Sequence, residues 1–222
     1  MHVTVFDPET GPRSDRTWCA WDTTRHHFRE AIATRWPHVI VRTPSAEIIF
    51  AASAHPYTCI RADDFYRIAD RAMASAGCEI IRGTSVASIL DHDDGVELEI
   101  ADAGGARRHE RCAAVFDGRP PERAATGSEP VLLQHFGGVE LEVTLGSIDP
   151  ARATLMDFDV PQQDGAHFMY VLPFSATRVL VESTFMTPSV GGNIDYEANA
   201  LAYAERTLGS GVSRVVYRES GV

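Results

Sequence analysis

The sequence predicts a mixed α/β (α+β) chain in two parts, an α/β part of nucleotide-binding type joined to a β-rich part for substrate. Three observations carry this prediction. The first half alternates short apolar strands with an amphipathic helix, the second half is mostly long strands, and a stretch rich in Pro, Gly and charge separates them at 119–130. The division is placed between 1–125 and 126–222.

Residues 3–6 read as a short apolar strand that ends on Asp7 and breaks at Pro8 and Gly11. A polar connection carrying Trp18 and Trp21 follows. Residues 22–36 are expected to be helical, with Thr23 or Thr24 as cap, Phe28, Ile32 and Trp36 on one face, and Pro37 as the stop. Short strands are expected at 38–42, 47–51 and 57–61. The helix at 63–76 places Phe65, Ile68, Ala69, Ala72, Met73 and Ala76 at helical spacing, with Asp63 or Asp64 to cap it and Gly77 at its end. Strands follow at 78–82, 85–91, 94–101 and 107–116, joined by hairpin turns at 91–95 and 103–105. Past the crossing come strands at 131–144, 153–159, 166–173 and 178–186, then a helix near 195–208 and a strand at 212–218.

Composition narrows the function. At 222 residues the chain is long enough to bury a substantial core. No run of about eighteen apolar residues occurs, so no helical membrane span is expected. The opening Met-His-Val-Thr-Val-Phe-Asp has no basic segment before an apolar one, so no signal peptide is expected. Cys19, Cys59, Cys78 and Cys112 lie far apart with no C-x-x-C pair, which argues for a reducing compartment and against a disulfide framework or zinc knuckle. The net charge of −11 offers no basic stripe for nucleic acid and no general attraction to an anionic membrane, leaving only a local patch for a membrane surface. His26, His27, His55, His109 and His167 show no metal spacing with carboxylates, so no metal is expected. Neither a Gly-x-Ser-x-Gly elbow nor a P-loop is present.

Several segments stand out for their order. The opening strand Val-Thr-Val-Phe-Asp-Pro-Glu ends on Asp7, and Asp-Arg-Thr-Trp-Cys-Ala-Trp follows at 15–21. Then come Tyr57-Thr-Cys-Ile-Arg61 ahead of the 63–76 helix, Val115-Phe-Asp-Gly-Arg-Pro-Pro121 and Leu133-Gln-His-Phe-Gly-Gly-Val-Glu-Leu141. Last come Ala-Thr-Leu-Met-Asp-Phe-Asp from Ala153, Phe-Met-Tyr-Val-Leu-Pro-Phe-Ser from Phe168 and Val-Leu-Val-Glu-Ser-Thr ending at Thr184. This ordered set, spread over nearly the whole chain, resembles the lycopene cyclase family, within the larger class of FAD-dependent hydroxylase-like proteins.

The resemblance implies a partial FAD-binding, Rossmann-like domain at 1–125 and a β-sheet substrate domain at 126–222. It implies an acid-catalysed, non-redox closure of the end groups of lycopene into rings, with FAD that relatives reduce by NAD(P)H. The family's essential carboxylate falls on Glu182; the neighbouring position, often a second acid in relatives, is Ser183. Asp157 and Asp159, two apart on a strand, either support Glu182 or line a wet surface. Asp7 stands where the ribose of the cofactor is bound. Arg61 faces the flavin or an exposed edge, and Asp117 with Arg119 contacts the cofactor or forms a turn salt bridge. Trp18, Trp21, Phe168, Tyr170 and Phe174 wall a polyene tunnel or simply fill the core. The partner implied is an apolar carotenoid, and the place implied is cytoplasmic, peripheral to a membrane.

The family's opening strand, Gly-x-Gly-x-x-Gly turn and helix have no counterpart here, and the end at Arg218-Glu-Ser-Gly-Val222 resembles a segment that continues in relatives. The expectation is a fragment, inactive alone. The rival readings are another FAD-dependent monooxygenase or reductase of the same class, and a non-catalytic remnant that binds a partner.

Overall fold

The computed structural model describes residues 2–11, 14, 16–119, 131–144, 146, 148–162, 165–190, 194–209 and 212–222. Pro120, Pro121 and almost all of the expected crossing at 119–130 lie outside the described residues. The chain divides into two compact units: Met1–Arg13 with Phe65–Gly127, and Ser14–Asp64 with Ser128–Val222. Both units are discontinuous, whereas the sequence suggested one cut at 125/126. Residues 14–64 join the later residues because their strands find partners there.

In the first unit, β1 (Thr4–Asp7) pairs in parallel with β7 (Glu79–Arg82), Asp7 opposite Arg82. Between them lies α1 (Ala62–Ser75), which the apolar spacing anticipates to within a residue. Its start corrects one detail: Asp63 and Asp64 sit inside the first turn, where they favour the positive end of the helix dipole, and Ala62 opens the helix. Gly77, at φ 72°, ends it in the left-handed conformation that glycine adopts freely. A meander of β8 (Thr84–His92), β9 (Gly95–Asp102) and β10 (Arg107–Cys112) completes the unit. β10 stops at Cys112 rather than 116 because its partner β9 begins at Gly95, opposite His92 on its other side, and offers nothing beyond Val96 for pairing.

The second unit is built on a seven-stranded sheet in the order β15-β11-β14-β13-β12-β4-β5. These strands are β4 (His38–Thr43), β5 (Ala46–Ala51), β11 (Leu133–Val143), β12 (Arg152–Asp157), β13 (Ala166–Ser175), β14 (Arg178–Thr187) and β15 (Val212–Gly221). A second sheet, β2 (Thr17–Trp21), β6 (Tyr57–Arg61) and β3 (Ile32–Trp36) in the order β2-β6-β3, packs on one face. Trp36, Tyr57 and Cys59 from it meet Val39, Ala153, Leu172 and Leu180 of the large sheet. The helix α2 (Tyr196–Leu208) covers the opposite face, its Ala200, Tyr203 and Ala204 against Val139, Leu141, Met169, Val179 and Val181. Asp195 caps this helix by accepting from the Ala198 N–H at 2.9 Å.

The helix expected at 22–36 does not form. A short 3-10 turn at Arg29–Ala31 leads directly into β3. Phe28, Ile32 and Trp36 recur every fourth residue, a spacing that suits a strand's period of two as well as a helix's 3.6. Pairing with β6 decides between them: Trp36 lies opposite Tyr57, fully buried, and its Nε1 donates to the Pro173 carbonyl at 2.7 Å.

The strand β14 runs through the middle of this arrangement and is buried along almost its whole length. With the small sheet over one face and α2 over the other, it reads as a continuous apolar run, Val179 to Val181, interrupted by Glu182, Ser183 and Thr184. All four cysteines are free thiols. Among the described residues no helix is long and apolar enough to cross a membrane.

Candidate active site

Alternation along β14 sends Leu180, Glu182 and Thr184 toward the small sheet and Val181, Ser183 and Phe185 toward α2. Glu182 lies between Gly138 of β11 and Tyr170 of β13. It is 8% exposed, and its Oε1 accepts from the Thr184 hydroxyl at 2.9 Å. Burial pushes its carboxyl from an ordinary 4.5 up to about 7; the Thr184 hydrogen bond opposes the rise and the like charge of Glu219 adds to it. A side chain of this kind holds its proton near neutrality, as a general acid must.

Glu219 of β15 stands across Gly138 on the other side. A Cβ at residue 138 would lie 3.2 Å from Leu180 Cδ1 and 3.3 Å from Glu182 Cβ, so glycine keeps this spot open beside the acid. Glu219 is 7% exposed and accepts from the Thr17 hydroxyl at 2.9 Å through Oε1, while Oε2 has no partner among the described residues. Burial raises its carboxyl as well, against the pull of Thr17 and Arg61.

The remaining charge on this face is neutralised internally. Glu140 of β11 receives Arg61 from β6 and Arg178 from β14, the latter at 2.7 Å. The Arg61 guanidinium also lies 4.8 Å from the Phe174 ring centre and 5.9 Å from that of Tyr217. Arg61, expected to face the flavin or an exposed edge, thus contacts a carboxylate and two aromatic faces of its own unit.

The aromatic residues singled out from sequence divide. Phe168, Tyr170 and Phe174 are on β13 on the Glu182 face, with Phe168 and Tyr170 edge to face at 5.3 Å and Phe174 6.3 Å from Trp36. Burial raises the Tyr170 hydroxyl to about 12, so it stays neutral. Trp18 and Trp21 are partly exposed; Trp21 packs 5.1 Å from Tyr57 and lines an apolar cleft of about 410 Å³ with Val39, Val41, Phe50 and Leu155.

Asp157 and Asp159 do not support Glu182. Asp157 lies opposite Met169, hence on the α2 face, where it accepts from Tyr203 Oη at 2.6 Å, from Arg42 at 2.8 Å and from the Asp159 N–H at 2.9 Å. β12 ends at Asp157, so Asp159 leaves the strand and its alternation; its side chain is 3.9 Å from Arg206. Ser183 shares that face and contacts His167 Nε2 at 3.0 Å. An acid at position 183 would therefore point away from Glu182.

In the first unit, Asp7 ends the parallel strand β1 and accepts from the Glu9 N–H at 3.0 Å and from Arg82 at 2.6 Å. Two contacts leave an ionised carboxylate with acceptor capacity for ribose hydroxyls, so Asp7 fits a dinucleotide contact. Asp117 and Arg119 hold each other in a bidentate pair at 2.8 and 2.9 Å, which keeps the Asp117 carboxyl down at about 2, and Arg119 also donates to the Val86 carbonyl. This geometry is the turn salt bridge of the two alternatives. Among the described residues no three His, Cys, Asp or Glu side chains converge as a metal would require.

Sequence reasoning did not single out Glu219, Gly138, Thr17 or Glu140. A local signal existed for one of them: Gly137-Gly138 inside an otherwise apolar strand marks close approach of a neighbour. The others are joined only by strand order.

Comparison with known proteins bears on this geometry. The family model described as "Lycopene cyclase protein" matches residues 1–222. A lycopene beta-cyclase of Paracoccus sp. (strain N81106 / MBIC 01143) is 34% identical, with 100% of this chain and 54% of the relative covered. Another, of Pantoea ananas, is 29% identical over 83% of this chain and 45% of the relative. The chain spans about half the length of these curated relatives. Among solved structures, a flavoprotein/dehydrogenase from Cytophaga hutchinsonii superposes with a TM-score of 0.69 at 14% identity, covering 99% of this chain and 60% of that one. The flavin-dependent monooxygenase PieE, in complex with FAD and substrate, gives 0.68 at 14% identity, with 98% and 45% covered. At such identities these likenesses establish the fold alone.

Proposed function

The chain belongs to the lycopene cyclase family, and from that premise we propose that it forms part of an enzyme that closes the end groups of lycopene into β-rings, with Glu182 as the acid. One observation carries the assignment: a carboxyl buried on an apolar strand, with the Thr184 hydroxyl on one oxygen, where burial favours its neutral, proton-bearing form. Glu182 gives that proton to a terminal double bond, forming a C–H bond and leaving a carbocation. A second double bond attacks the cation and closes the ring through a new C–C bond. The Glu182 carboxylate takes back a proton from the adjacent carbon, which restores a double bond. Protons in and out balance, and no electron is gained or lost.

Phe168, Tyr170 and Phe174 present π-faces that suit both an apolar polyene and a passing cation. The buried setting keeps water from capturing that cation. Asp7 would hold the ribose of FAD. When bound and reduced, FAD supplies an electron-rich ring that opposes positive charge without net redox change. A carotenoid substrate dissolves in lipid, which favours a cytoplasmic protein working at a membrane surface.

The test is to incubate the full gene product with FAD, NAD(P)H and lycopene in vesicles and to separate the carotenes. Ringed product without stoichiometric NAD(P)H consumption is expected. A hydroxylated or reduced product with matching NAD(P)H consumption would assign the protein to the monooxygenase or reductase reading instead.

A further inference from the structure

We propose that Glu219 is a positioning residue for the acid: across Gly138 it forms with Glu182 one coupled carboxyl pair that shares a single proton, its own charge keeping that proton on Glu182. The proposal rests on Glu182 being the acid, and it deepens that reading by naming a second buried carboxyl on the same face of the sheet.

The geometry is specific. Glu182, Gly138 and Glu219 stand in register on three adjacent strands, β14, β11 and β15, with side chains on one face. Their backbones are about 10 Å apart over two strand spacings. The absent side chain at 138 leaves space between the two strands beside Glu182, whose Cβ and Cγ lie 3.3 and 3.4 Å from where a Cβ would stand. Both are more than nine-tenths buried, and the Glu219 Oε2 atom meets no donor in a place where unpaired polar atoms are rare. Two carboxylates cannot both ionise cheaply in such surroundings, so one proton stays with the pair.

The donors decide where it stays. The Thr17 hydroxyl on Glu219, together with the Arg61 guanidinium, favours Glu219 as the ionised partner against the opposing charge of Glu140. Glu182 has the Thr184 hydroxyl alone. Tyr170 on β13, Tyr57 on β6 and Cys19 on β2 are all pushed upward, chiefly by burial for the tyrosines and by the Cys59 thiol for Cys19. Cys59 faces Cys19 across β6, and Arg61, Arg178 and Glu140 satisfy one another.

The experiment is an infrared titration of the protonated-carboxyl C=O stretch in the full protein, with bands assigned by Glu182→Gln, alongside the pH profile of ring formation. Glu219→Gln is expected to lower the Glu182 midpoint by about one pH unit and to carry the alkaline limb of the activity profile with it. Glu219→Asp is expected to restore both. A Glu182 midpoint unmoved by Glu219→Gln overturns the proposal. Should Glu219→Gln fail to fold, Thr17→Val takes its place. Losing the donor that favours ionised Glu219 then weakens the Glu182 band, and an unchanged band overturns the proposal equally. A wild-type protein whose carboxyls titrate as a pair but which makes no ringed carotene would remove the cyclase reading and leave the pair standing.

Discussion

The two faces of the seven-stranded sheet bury polar groups in different ways. Under α2, the buried polar side chains Asp157, His135 and His167 are each answered. Asp157 accepts from Tyr203, Arg42 and a backbone N–H; His135 lies 2.7 Å from both Tyr196 Oη and Thr187 Oγ1; His167 meets Ser183 and the Pro161 carbonyl, with Phe185 stacked on it at 4.0 Å. Under the small sheet, Glu140 is answered twice by arginine, whereas Glu182 has the Thr184 hydroxyl, Glu219 has Thr17, and Glu219 Oε2 has no partner among the described residues. Fully satisfied networks fix a fold, whereas a carboxyl left short of donors keeps its proton and with it the capacity to react. The contrast separates the acids that hold the sheet together from the carboxyl we propose as the proton donor.

The sharpest way to break the contrast is to disarm each face in turn. Glu182→Gln, nearly isosteric, is expected to fold and bind flavin while ring formation falls by about 10²–10⁴-fold, the usual worth of a general acid. Separation of carotenes from lycopene-fed protein reads this out, and wild-type levels of product would remove Glu182 from the acid role. Asp157→Ala should do the reverse. It leaves Tyr203 Oη and the Asp159 N–H without their acceptor while Arg42 keeps Glu47, so denaturant unfolding is expected to show a loss of about 1–3 kcal/mol, with the pH dependence of any surviving activity unchanged.

The pH dependence of stability sharpens the same point. The folded Glu182 carboxyl lies above its ordinary value, so between pH 4.5 and about 7 the unfolded chain releases this proton while the folded one keeps it. Stability from this group is therefore greatest at low pH and declines through that window. The decline is about 3 kcal/mol in all, at 1.36 kcal/mol per unit. Urea midpoints at pH 5 and pH 8 should differ accordingly in the wild type and much less in Glu182→Gln. An equal slope in both proteins would mean that the proton is held elsewhere. The smallest effect is expected from Asp117→Asn, in an exposed turn pair of the first unit: no measurable change in stability, and none in flavin affinity. A clear loss of flavin affinity would return Asp117 to the cofactor.

Much of this was legible in the residues. The strands from 38 to 61, α1, the meander and the four long strands appear in the sequence as apolar runs between turn residues. The 28–32–36 spacing was not decisive, since it satisfies two periods at once and only the pairing of Trp36 with Tyr57 selects the strand. Glu182 was legible through its ordered motif. Its surroundings were not, because Glu219, Gly138 and Thr17 come from three other strands whose order no local pattern encodes. Asp157 misled for a related reason: alternation places Asp157 and Asp159 together on one face but does not say which face, and the strand ends before the second of them.

The hairpin between β13 and β14 turns at 176–177, with a register irregularity between Pro173 and Ser175. That irregularity works as a pin. If β14 slid by one residue against its neighbours so that Ser183 occupied the place of Glu182, Glu182 would move to the place of Val181, on the face beneath the helix. The chemistry of residue 182 is thus set by the length of a turn several residues away, and a single insertion or deletion there would silence the acid while every residue of its motif remained intact.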